Sequence, residues 1–483
     1  MKHKVSYVMC CMLLMMAACD NQDKGENLTQ HVNPKIGSGG HGHVFVGASV
    51  PFGMVQLGPT SIPQEWDWCS GYHESDNSVI GFSHTHLSGT GIGDLFDITL
   101  MPVTGNVTYA RGTVDNPTSG LWSEADRSHE VAEAGYYAVP LTRYAIQAEL
   151  TATARVGMHR YTFPESQEAA IVIDLENGGC WDRAIDTHLE AEGNTRIVGW
   201  RHSRGWAANQ KVFFVAEFSK PFTHLTLHGE GERYGRAHFA TSQNEELMVK
   251  VAISAVDLEG ARQAMQSELS GWDFEATREA ARHAWETELQ RIRITTNDES
   301  TKRIFYTSMY HAMMAPALFS DVDGRYRGAD GNIYHSATPR YTNFSLWDTY
   351  RAKQPLMTII QAERAGQFVS SMIDICDRQG DLPVWHLWGN ETNCMVGDPA
   401  IPVVADAIVK GLQGFDHDRA FEAIKQTAAT PERGKQFRHA YGYIPCNLMN
   451  ESVAFDMEYA LADGAAAQAA KALGREADYQ YFT

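Results

Sequence analysis

The feature that most constrains the fold is a change of residue pattern near position 270 of this 483-residue chain. Before that point, short runs rich in β-branched and aromatic residues, such as AAIVIDLE and KVFFVAEFS, are separated by Gly, Pro, Asn and Asp. This spacing is typical of a β-sandwich. After it, apolar residues recur at helical intervals. The sequence therefore predicts a multidomain β + α protein, in which an N-terminal β-sandwich precedes a helical domain.

The domain boundaries follow from the same patterns. The amphipathic stretch DFEATREAARHAWETELQRIRI predicts a linker helix within residues 269–298. Residues 31–268 are then the sandwich domain, and residues 299–483 carry about six further helical patterns joined by long loops. Helices paired in this way indicate the first part of an (α/α)6 toroid. Because half a toroid would leave a large apolar face exposed, we expect the chain to be truncated at its C-terminus.

Composition excludes one class of partner. The net charge is −19, so the chain would repel a nucleic acid unless it carried a local basic patch, and the sequence shows none. Apolar residues make up 43% and charged residues 20%, which is normal for a globular protein. The 11 Trp, 19 Tyr and 20 Phe are compatible with sugar stacking, although we expect most of these rings in the core.

The N-terminus predicts export. A lysine-containing start and a short apolar run form a signal peptide over residues 1–18, since the run is too short to span a bilayer stably. An uncleaved signal anchor is the alternative. The small residues before Cys19 resemble a bacterial lipobox, which implies cleavage there and a lipid on the Cys19 sulfur. Residues 19–30 are a polar tether. We expect a periplasmic, outer-membrane or cell-surface lipoprotein that meets the membrane only through its lipid anchor.

The loop GFSHTHLSGTGIGD raises the question of a metal site. His84 and His86 alternate along a strand-like stretch, so both could bind one ion, with Asp94 as a third ligand. No further His or Cys follows in this loop, and we assign no metal ligands. The stretch GSGGHG matches a dinucleotide-binding spacing, but a strand-like run follows it instead of a helix, so the match is accidental.

A sugar is the alternative ligand for these loops. Glycine lets backbone approach a ligand closely, and the histidines, Asp94 and Trp68 of the intervening EWDWCSGYH stretch offer hydrogen bonds and a stacking face. These residues could equally shape tight turns between strands.

Two stretches of the helical half carry candidate site residues. Trp347 and Asp348 stand at the start of a predicted helix, where the aspartate could also serve only as a cap. Asn390 and Glu391 lie in the loop GDLPVWHLWGNETNCMVGDPAIP, which holds two tryptophans. A carboxylate among aromatic rings suits glycoside chemistry, either as a proton donor or as a ligand for hydroxyl groups.

Four longer segments carry a family resemblance: VNPKIGSGGHGHVFVGASVPFGMVQLGP, GYHESDNSVIGFSHTHLSGTGIGD, NFSLWDTYRAKQPL and GNETNCMVGDPAIPVVADAIVKG. From about residue 31 to the end, the sequence resembles glycoside hydrolase family 92, a family of calcium-dependent, inverting exo-α-mannosidases of gut Bacteroidetes. The resemblance implies an active site between the two domains, with the histidine loop lining a mannose pocket. It also implies removal of terminal mannose from N-glycans or mannan. The linkage stays open among α-1,2, α-1,3, α-1,4 and α-1,6, and we expect α-1,2.

The resemblance bears on the site residues as well. Trp347 and Asp348 match family residues that contact the terminal mannose, whereas the stretches that hold the family's general acid, general base and calcium ligands do not occur in this sequence. We expect them beyond Thr483, assign no catalytic or metal residue, and expect the chain to be inactive. Calcium is the implied cofactor. The complete set of predicted substrate contacts is Trp347, Asp348, Glu391, Asn390, Trp68, His84, His86 and Asp94.

Two other functions remain open. One is a non-catalytic surface lipoprotein that binds mannosides through its sandwich loops. The other is a different carbohydrate enzyme with a sandwich and a toroid, such as a phosphorylase or a polysaccharide lyase. The sequence makes no prediction of oligomeric state.

Overall fold

The computed structural model describes residues 26–178 and 181–483. The predicted signal peptide, the lipidated Cys19 and most of the tether lie outside the described residues. Within the two ranges, every helix is too short or too polar to cross a bilayer.

The N-terminal half consists mainly of two antiparallel sheets. The first has seven strands, in spatial order Ala48–Ser49, Gln56–Thr60, Gly81–Ser83, Thr99–Thr104, Ser166–Asp174, Tyr234–Thr241 and Leu225–His228. The second has eight strands, in spatial order Arg183–Glu192, Arg196–Arg204, Gln210–Phe218, Glu245–Ser254, Val156–Phe163, Ile146–Ala152, Tyr136–Leu141 and Val131–Glu133.

The core of the sandwich lies between these sheets. Successive side chains of a strand point to opposite faces, so each strand turns one apolar row inward. Leu57, Phe82 and Ile171 of the first sheet are fully buried against Phe214 and Val251 of the second. The outer face of the second sheet is covered by the helix Leu258–Glu268, whose Ala261 and Met265 pack on it.

The helix Phe274–Leu289 lies within the segment predicted as a linker. It begins after Asp273, whose side chain accepts a hydrogen bond from the Ala276 backbone N–H, as at a preferred N-cap. Its buried Trp285 donates from Nε1 to the Ser49 carbonyl at 2.7 Å. The helix is therefore fixed to the sandwich as well as to the helical half.

The rest of the chain is helical, with short strand pairs between helices. Its helices are Glu299–Ala312, Leu346–Thr349, Lys353–Ile360, Ala362–Gln379, Ala400–Val409, His417–Ala429, Lys435–Tyr441, Ser452–Ala472 and Glu476–Phe482. The intervening strands are Ala317–Leu318, Arg325–Arg327, Ile333–His335, Tyr341–Thr342, Phe344–Ser345, Trp385–Leu387 and Asn390–Glu391. The predicted fold class, a sandwich followed by a linker helix and a helical domain, is confirmed.

The two halves share buried residues at their boundary. Trp385 and Trp388 of the helical half pack into the core of the sandwich. Conversely, Phe45 and Phe52 of the sandwich pack into the core of the helical half. This exchange of large side chains fixes the two halves against each other and positions the cavity between them.

Candidate active site

A cavity of about 210 Å³ lies between the two halves. Its sandwich wall includes residues 88–90 of the glycine-rich histidine loop. Its helical wall includes Trp385 and the helix Leu346–Thr349, which we call the WDT helix. Glycine at position 89 has a φ of +73°, a conformation that L-side chains rarely adopt. The lining side chains that carry polar or charged groups are Gln56, His86, Ser88, Thr90, His311, Asn343, Ser345, Asp348, Thr349, Lys353 and Trp385.

Asp348 supplies a carboxylate to this cavity from the first turn of the helix Leu346–Thr349. It does not cap that helix: the N-cap position is Ser345, whose hydroxyl donates instead to the Asp348 carboxylate. Neighbouring Trp347 is 37% exposed, so its indole is available to a ligand. The alternative in which Asp348 serves only as a cap is wrong.

Lys353 places an amine in the same cavity. Its Nζ donates to the Ala315 carbonyl at 2.7 Å and lies 5.8 and 5.5 Å from the ring centroids of Phe52 and Phe368. Burial lowers the pKa of this amine to about 7. Asp348 and Lys353 together offer an acceptor and a donor at one site.

Glu391 braces the strand pair that carries Trp385. Its carboxylate accepts hydrogen bonds from the backbone N–H groups of Val384 and Trp385, each at 3.0 Å, and of Asn393 at 2.8 Å. The Glu391 carboxylate thus already accepts three hydrogen bonds from backbone N–H groups of its own loop. The structure therefore gives Glu391 a supporting position behind the cavity wall.

Asn390 joins the two halves. Its Oδ1 accepts from the Asn209 backbone N–H at 3.0 Å, and its Nδ2 donates to the carbonyls of Trp388 and Asn209 at 2.9 and 3.3 Å. The side chain thus fixes the turn after Trp388 against a sandwich loop.

His84 lies in the sandwich core, away from the cavity. Tyr161 donates to His159 Nδ1 at 2.7 Å, His159 Nε2 and His84 Nε2 are 3.0 Å apart, and His84 Nδ1 donates to the Ile98 carbonyl at 2.6 Å. This chain uses every ring nitrogen of both histidines. Burial lowers the pKa of His84 to about 4, so the ring is neutral at pH 7.

His86 is buried at the edge of the cavity. Its Nδ1 donates to the Gln56 carbonyl at 2.8 Å, and its ring packs between Phe45 and Phe96. Burial lowers its pKa to about 3. His84 and His86 thus have different surroundings, one in the sandwich core and the other at the cavity edge.

Trp68 lies outside the lining of this cavity, in the neighbouring loop. Its Nε1 donates to Asp76 at 2.6 Å, and its ring stacks on His73 with centroids 4.4 Å apart. The more exposed indole of this stretch belongs to Trp66, which is 50% exposed and donates to the Gly91 carbonyl at 2.9 Å.

Asp94 is fully buried at the end of the histidine loop. Its Oδ2 accepts from the Ala207 backbone N–H at 3.0 Å. Burial raises the pKa of this carboxyl to about 6, although the backbone N–H groups of Ala207 and Trp206 lower it in part. Asp94 lines a second cavity, described below, and not the one between the halves.

One group of three side chains in the described part of the chain is close enough to hold a metal ion: His41, His43 and Asp67. Both histidines donate to Asp67 Oδ1, at 2.7 and 2.9 Å, and these hydrogen bonds lower the pKa of Asp67. Two imidazoles and one carboxylate do not suit calcium, which takes about six to eight oxygen ligands. The group does not fit the implied calcium, and we derive no step through that ion.

Sequence reasoning missed Lys353, Gln56 and Asn343 as lining residues. Gln56 and Asn343 stand in ordinary strand and turn contexts that give no signal. Lys353 offered such a signal, because it is the only charged residue of the mainly apolar helix KQPLMTII.

Comparison with known proteins places both halves in one family. The model of the glycosyl hydrolase family 92 N-terminal domain matches residues 31–254, and the model of the family's catalytic domain matches residues 260–483. The prediction that the chain is truncated, and inactive for that reason, is not supported, since the catalytic-domain match extends over residues 260–483.

Solved structures give the same result. A family GH92 α-mannosidase from Bacteroides thetaiotaomicron, determined in complex with mannoimidazole, is 40% identical, with a TM-score of 0.91 over 95% of this chain and 63% of that one. A family GH92 inverting mannosidase from the same species is 24% identical, with a TM-score of 0.84 over 95% of this chain and 64% of that one. The latter similarity shows the fold alone.

A curated relative from Arthroderma benhamiae, described as an uncharacterized secreted glycosidase, is 24% identical over 94% of this chain and 61% of its own length. The chain thus spans less than two thirds of the length of each of these three relatives.

Proposed function

The chain belongs to glycoside hydrolase family 92, and on this premise we propose that it is an exo-acting α-mannosidase that releases terminal mannose from N-glycans or mannan with inversion. The observation that carries the proposal is the cavity between the halves, where Asp348 and Lys353 face a glycine-rich loop. A volume of about 210 Å³ suits one sugar ring and not a chain, as an exo-acting enzyme requires. A relative 40% identical was solved with mannoimidazole, which supports a mannose-like ligand.

The cavity residues would bind and orient the sugar. The Asp348 carboxylate would accept hydrogen bonds from two ring hydroxyls, and the Lys353 amine would donate one, while Trp385 supplies an apolar wall. Inversion further requires a general acid and a general base whose carboxyl groups lie roughly 6.5–9.5 Å apart. We assign neither role to a described residue.

The predicted substrate contacts divide by their surroundings. Asp348, Trp347 and His86 carry the proposed contacts to the terminal mannose, because they line or border the cavity. Five predicted contacts lie outside this cavity wall, and for these the contact with the terminal mannose stays a prediction, since each already has a polar atom bonded to protein. They are Glu391, Asn390, Trp68, His84 and Asp94.

Hydrolysis of α-mannobiose tests the proposal. Nuclear magnetic resonance during the first turnovers should show mannose released as the β-anomer, because the reaction inverts. Asp348→Asn should lower kcat/KM by about 10- to 100-fold, the effect of losing a charged hydrogen-bond partner worth about 1.5–3 kcal/mol. The control is Asp115→Asn, since Asp115 is exposed on a sandwich loop.

Three results would overturn this assignment. Tight binding of mannosides without turnover would indicate a binding protein. Dependence of turnover on phosphate would indicate a phosphorylase, and unsaturated products would indicate a lyase.

Linkage and cofactor extend the proposal. We propose a preference for α-1,2 linkages, and a dependence on calcium that the family resemblance supports. Comparing α-1,2-, α-1,3- and α-1,6-mannobiose tests the first, and equal kcat/KM values would contradict it. Dialysis against EGTA should abolish turnover and added Ca²⁺ should restore it; full activity after dialysis would contradict the second.

Export and anchoring are also proposed. The lysine-rich start, the short apolar run and Cys19 support a signal peptide and a lipidated cysteine. Cys19→Ser should release the protein from the membrane fraction of the expressing bacterium, and mass spectrometry should find a diacylglyceryl group on the wild type only. An unmodified Cys19 in membrane-bound protein would contradict the anchor.

A further inference from the structure

A second cavity of about 520 Å³ opens on the sandwich next to the first. The two share one loop: residues 88–90 line the first cavity, whereas Ile92 and Asp94 line the second. They are also linked by a ring contact, since Trp206 of the second packs on Trp385 of the first with centroids 4.9 Å apart. A ligand that extends out of the first cavity therefore has the second beside it.

Two indoles give the second cavity its apolar faces. Trp181 is 48% exposed, which is unusual for the largest apolar side chain. Trp206 is half-buried, and its ring plane makes an angle of 59° with the ring plane of Trp385. An indole with one free face is suited to the C–H face of a sugar ring.

Asp94 gives the cavity a fixed acceptor. The residue is fully buried, its Oδ2 accepts from the Ala207 N–H, and its Oδ1 has no hydrogen bond of good geometry to any described residue. Buried carboxylate oxygens without a donor are rare, and one in a cavity wall indicates that a ligand supplies the missing donor. The wall needs glycine at position 205, because a Cβ there would lie 2.6 Å from both Asp94 oxygens.

The charges of the cavity select a neutral ligand. The exposed guanidinium groups of Arg183 and Arg204 offer donors at the rim, and Asp94 offers an acceptor inside. An anion would be attracted by the arginines but opposed by the aspartate, whereas a neutral polyol uses both kinds of group.

We propose that this second cavity binds the sugar units that follow the terminal residue of a longer mannose-containing glycan, with Trp181 as the stacking face. The inference rests on the proposed function, because the first cavity must hold the terminal sugar. It assigns to Asp94 a contact with the body of the glycan and not with its terminal unit.

Isothermal titration calorimetry with two ligands tests the inference. Both ligands are used as sulfur-linked analogues, which the proposed hydrolysis does not consume. Methyl α-mannoside reaches only the first cavity, whereas a linear α-mannotetraose reaches both. The wild type should bind the tetraose more tightly. Trp181→Ala should weaken tetraose binding by at least tenfold and leave the affinity for methyl α-mannoside unchanged. The matched control is Trp200→Ala, which removes a half-buried indole stacked on His188 elsewhere on the same sheet.

A second variant tests the inference independently in case Trp181→Ala does not fold. Arg183→Gln changes an exposed side chain at the rim and should weaken tetraose binding about three- to tenfold, again without an effect on the monosaccharide. Unchanged tetraose affinity in both variants overturns the inference. Equal wild-type affinity for both ligands also overturns it and leaves the proposed function intact. Binding of neither ligand by the wild type overturns both.

Discussion

Asn209 of the sandwich and Asn390 of the helical half exchange two hydrogen bonds across the boundary between the halves. The Asn209 backbone N–H donates to Asn390 Oδ1 at 3.0 Å, and Asn390 Nδ2 donates to the Asn209 carbonyl at 3.3 Å. Close by, Trp388 Nε1 donates to the Lys211 carbonyl at 3.0 Å. One turn of the helical half is thereby held against one loop of the sandwich, and this turn follows the strand that carries Trp385.

Asn390→Ala should loosen this contact. Removing the amide should cost about 0.5–1.5 kcal/mol in the free energy of unfolding, the net contribution of a typical hydrogen bond, because the exposed Asn209 N–H and carbonyl can bond to water instead. Urea denaturation monitored by tryptophan fluorescence measures the change. Asn332→Ala is the matched control, because Asn332 Nδ2 bonds only within its own turn, to Asp330. Equal destabilisation by the two variants would contradict a role for Asn390 between the halves.

Gly205→Ala should destabilise the fold through a steric clash. A Cβ at this position lies 2.6 Å from both Asp94 oxygens and 2.8 Å from Asp182 Cβ, so the buried loop must shift. Overpacking of this kind costs about 1–3 kcal/mol. Gly271→Ala is the control, since a Cβ there meets no atom within 4 Å. Thermal unfolding should show a lower Tm for Gly205→Ala only; an unchanged Tm would show that Asp94 can move away.

Lys353→Met should remove one source of pH dependence. Burial lowers the pKa of Lys353 from 10.5 to about 7, so between these values the unfolded chain binds a proton that the folded chain does not. The free energy of unfolding therefore rises with pH over this window, and the Met variant should lose that part of the rise. Urea midpoints at pH 7 and pH 10 measure it, with Lys410→Met, at the exposed end of a helix, as the control. Identical slopes in wild type and Lys353→Met would contradict the shift.

The sequence predicted the order of the domains because strand and helix leave different periods in the apolar residues. This period depends only on neighbouring residues, so it can be read from the sequence without knowledge of the fold. It also located the WDT helix and the histidine loop, both of which line or border the cavity. The docking of the halves is not local: Asn209 and Asn390 are 181 residues apart, and no period reports which loop will meet which turn.

The chemistry of a single side chain, taken without its hydrogen-bond partners, predicted the role of that residue less well than the apolar period predicted the domains. Glu391 is a carboxylate among tryptophans, as predicted, but its oxygens are taken by backbone N–H groups of its own loop. His84 is separated by one residue from His86, yet its partner is His159, on a strand of the other sheet. Lys353 was missed because a lysine in a helix is ordinarily at the surface. In each case the hydrogen-bond partner, which the sequence does not give, decided the role.

The chain from Tyr161 through His159 to His84 and the Ile98 carbonyl makes the sandwich sensitive to acid. Burial lowers the pKa of His84 from 6.5 to about 4. Between these values the unfolded chain binds a proton that the folded chain excludes, so the stabilisation present above pH 6.5 is lost as the pH falls towards 4. At about 1.4 kcal/mol per pKa unit, His84 alone accounts for roughly 3 kcal/mol.

His84→Asn isolates this contribution. The Asn amide can replace the donor to Ile98, but the variant leaves His159 Nε2 without its partner, so it should be less stable than wild type at pH 7 by about 1–3 kcal/mol. It cannot titrate, however, and its free energy of unfolding should fall less steeply between pH 6.5 and 4.5. His129→Asn, at an exposed turn beside Asp126, should keep the wild-type slope. Urea denaturation at several pH values gives both quantities, and a variant that is less stable but keeps the full slope would show that the proton enters elsewhere.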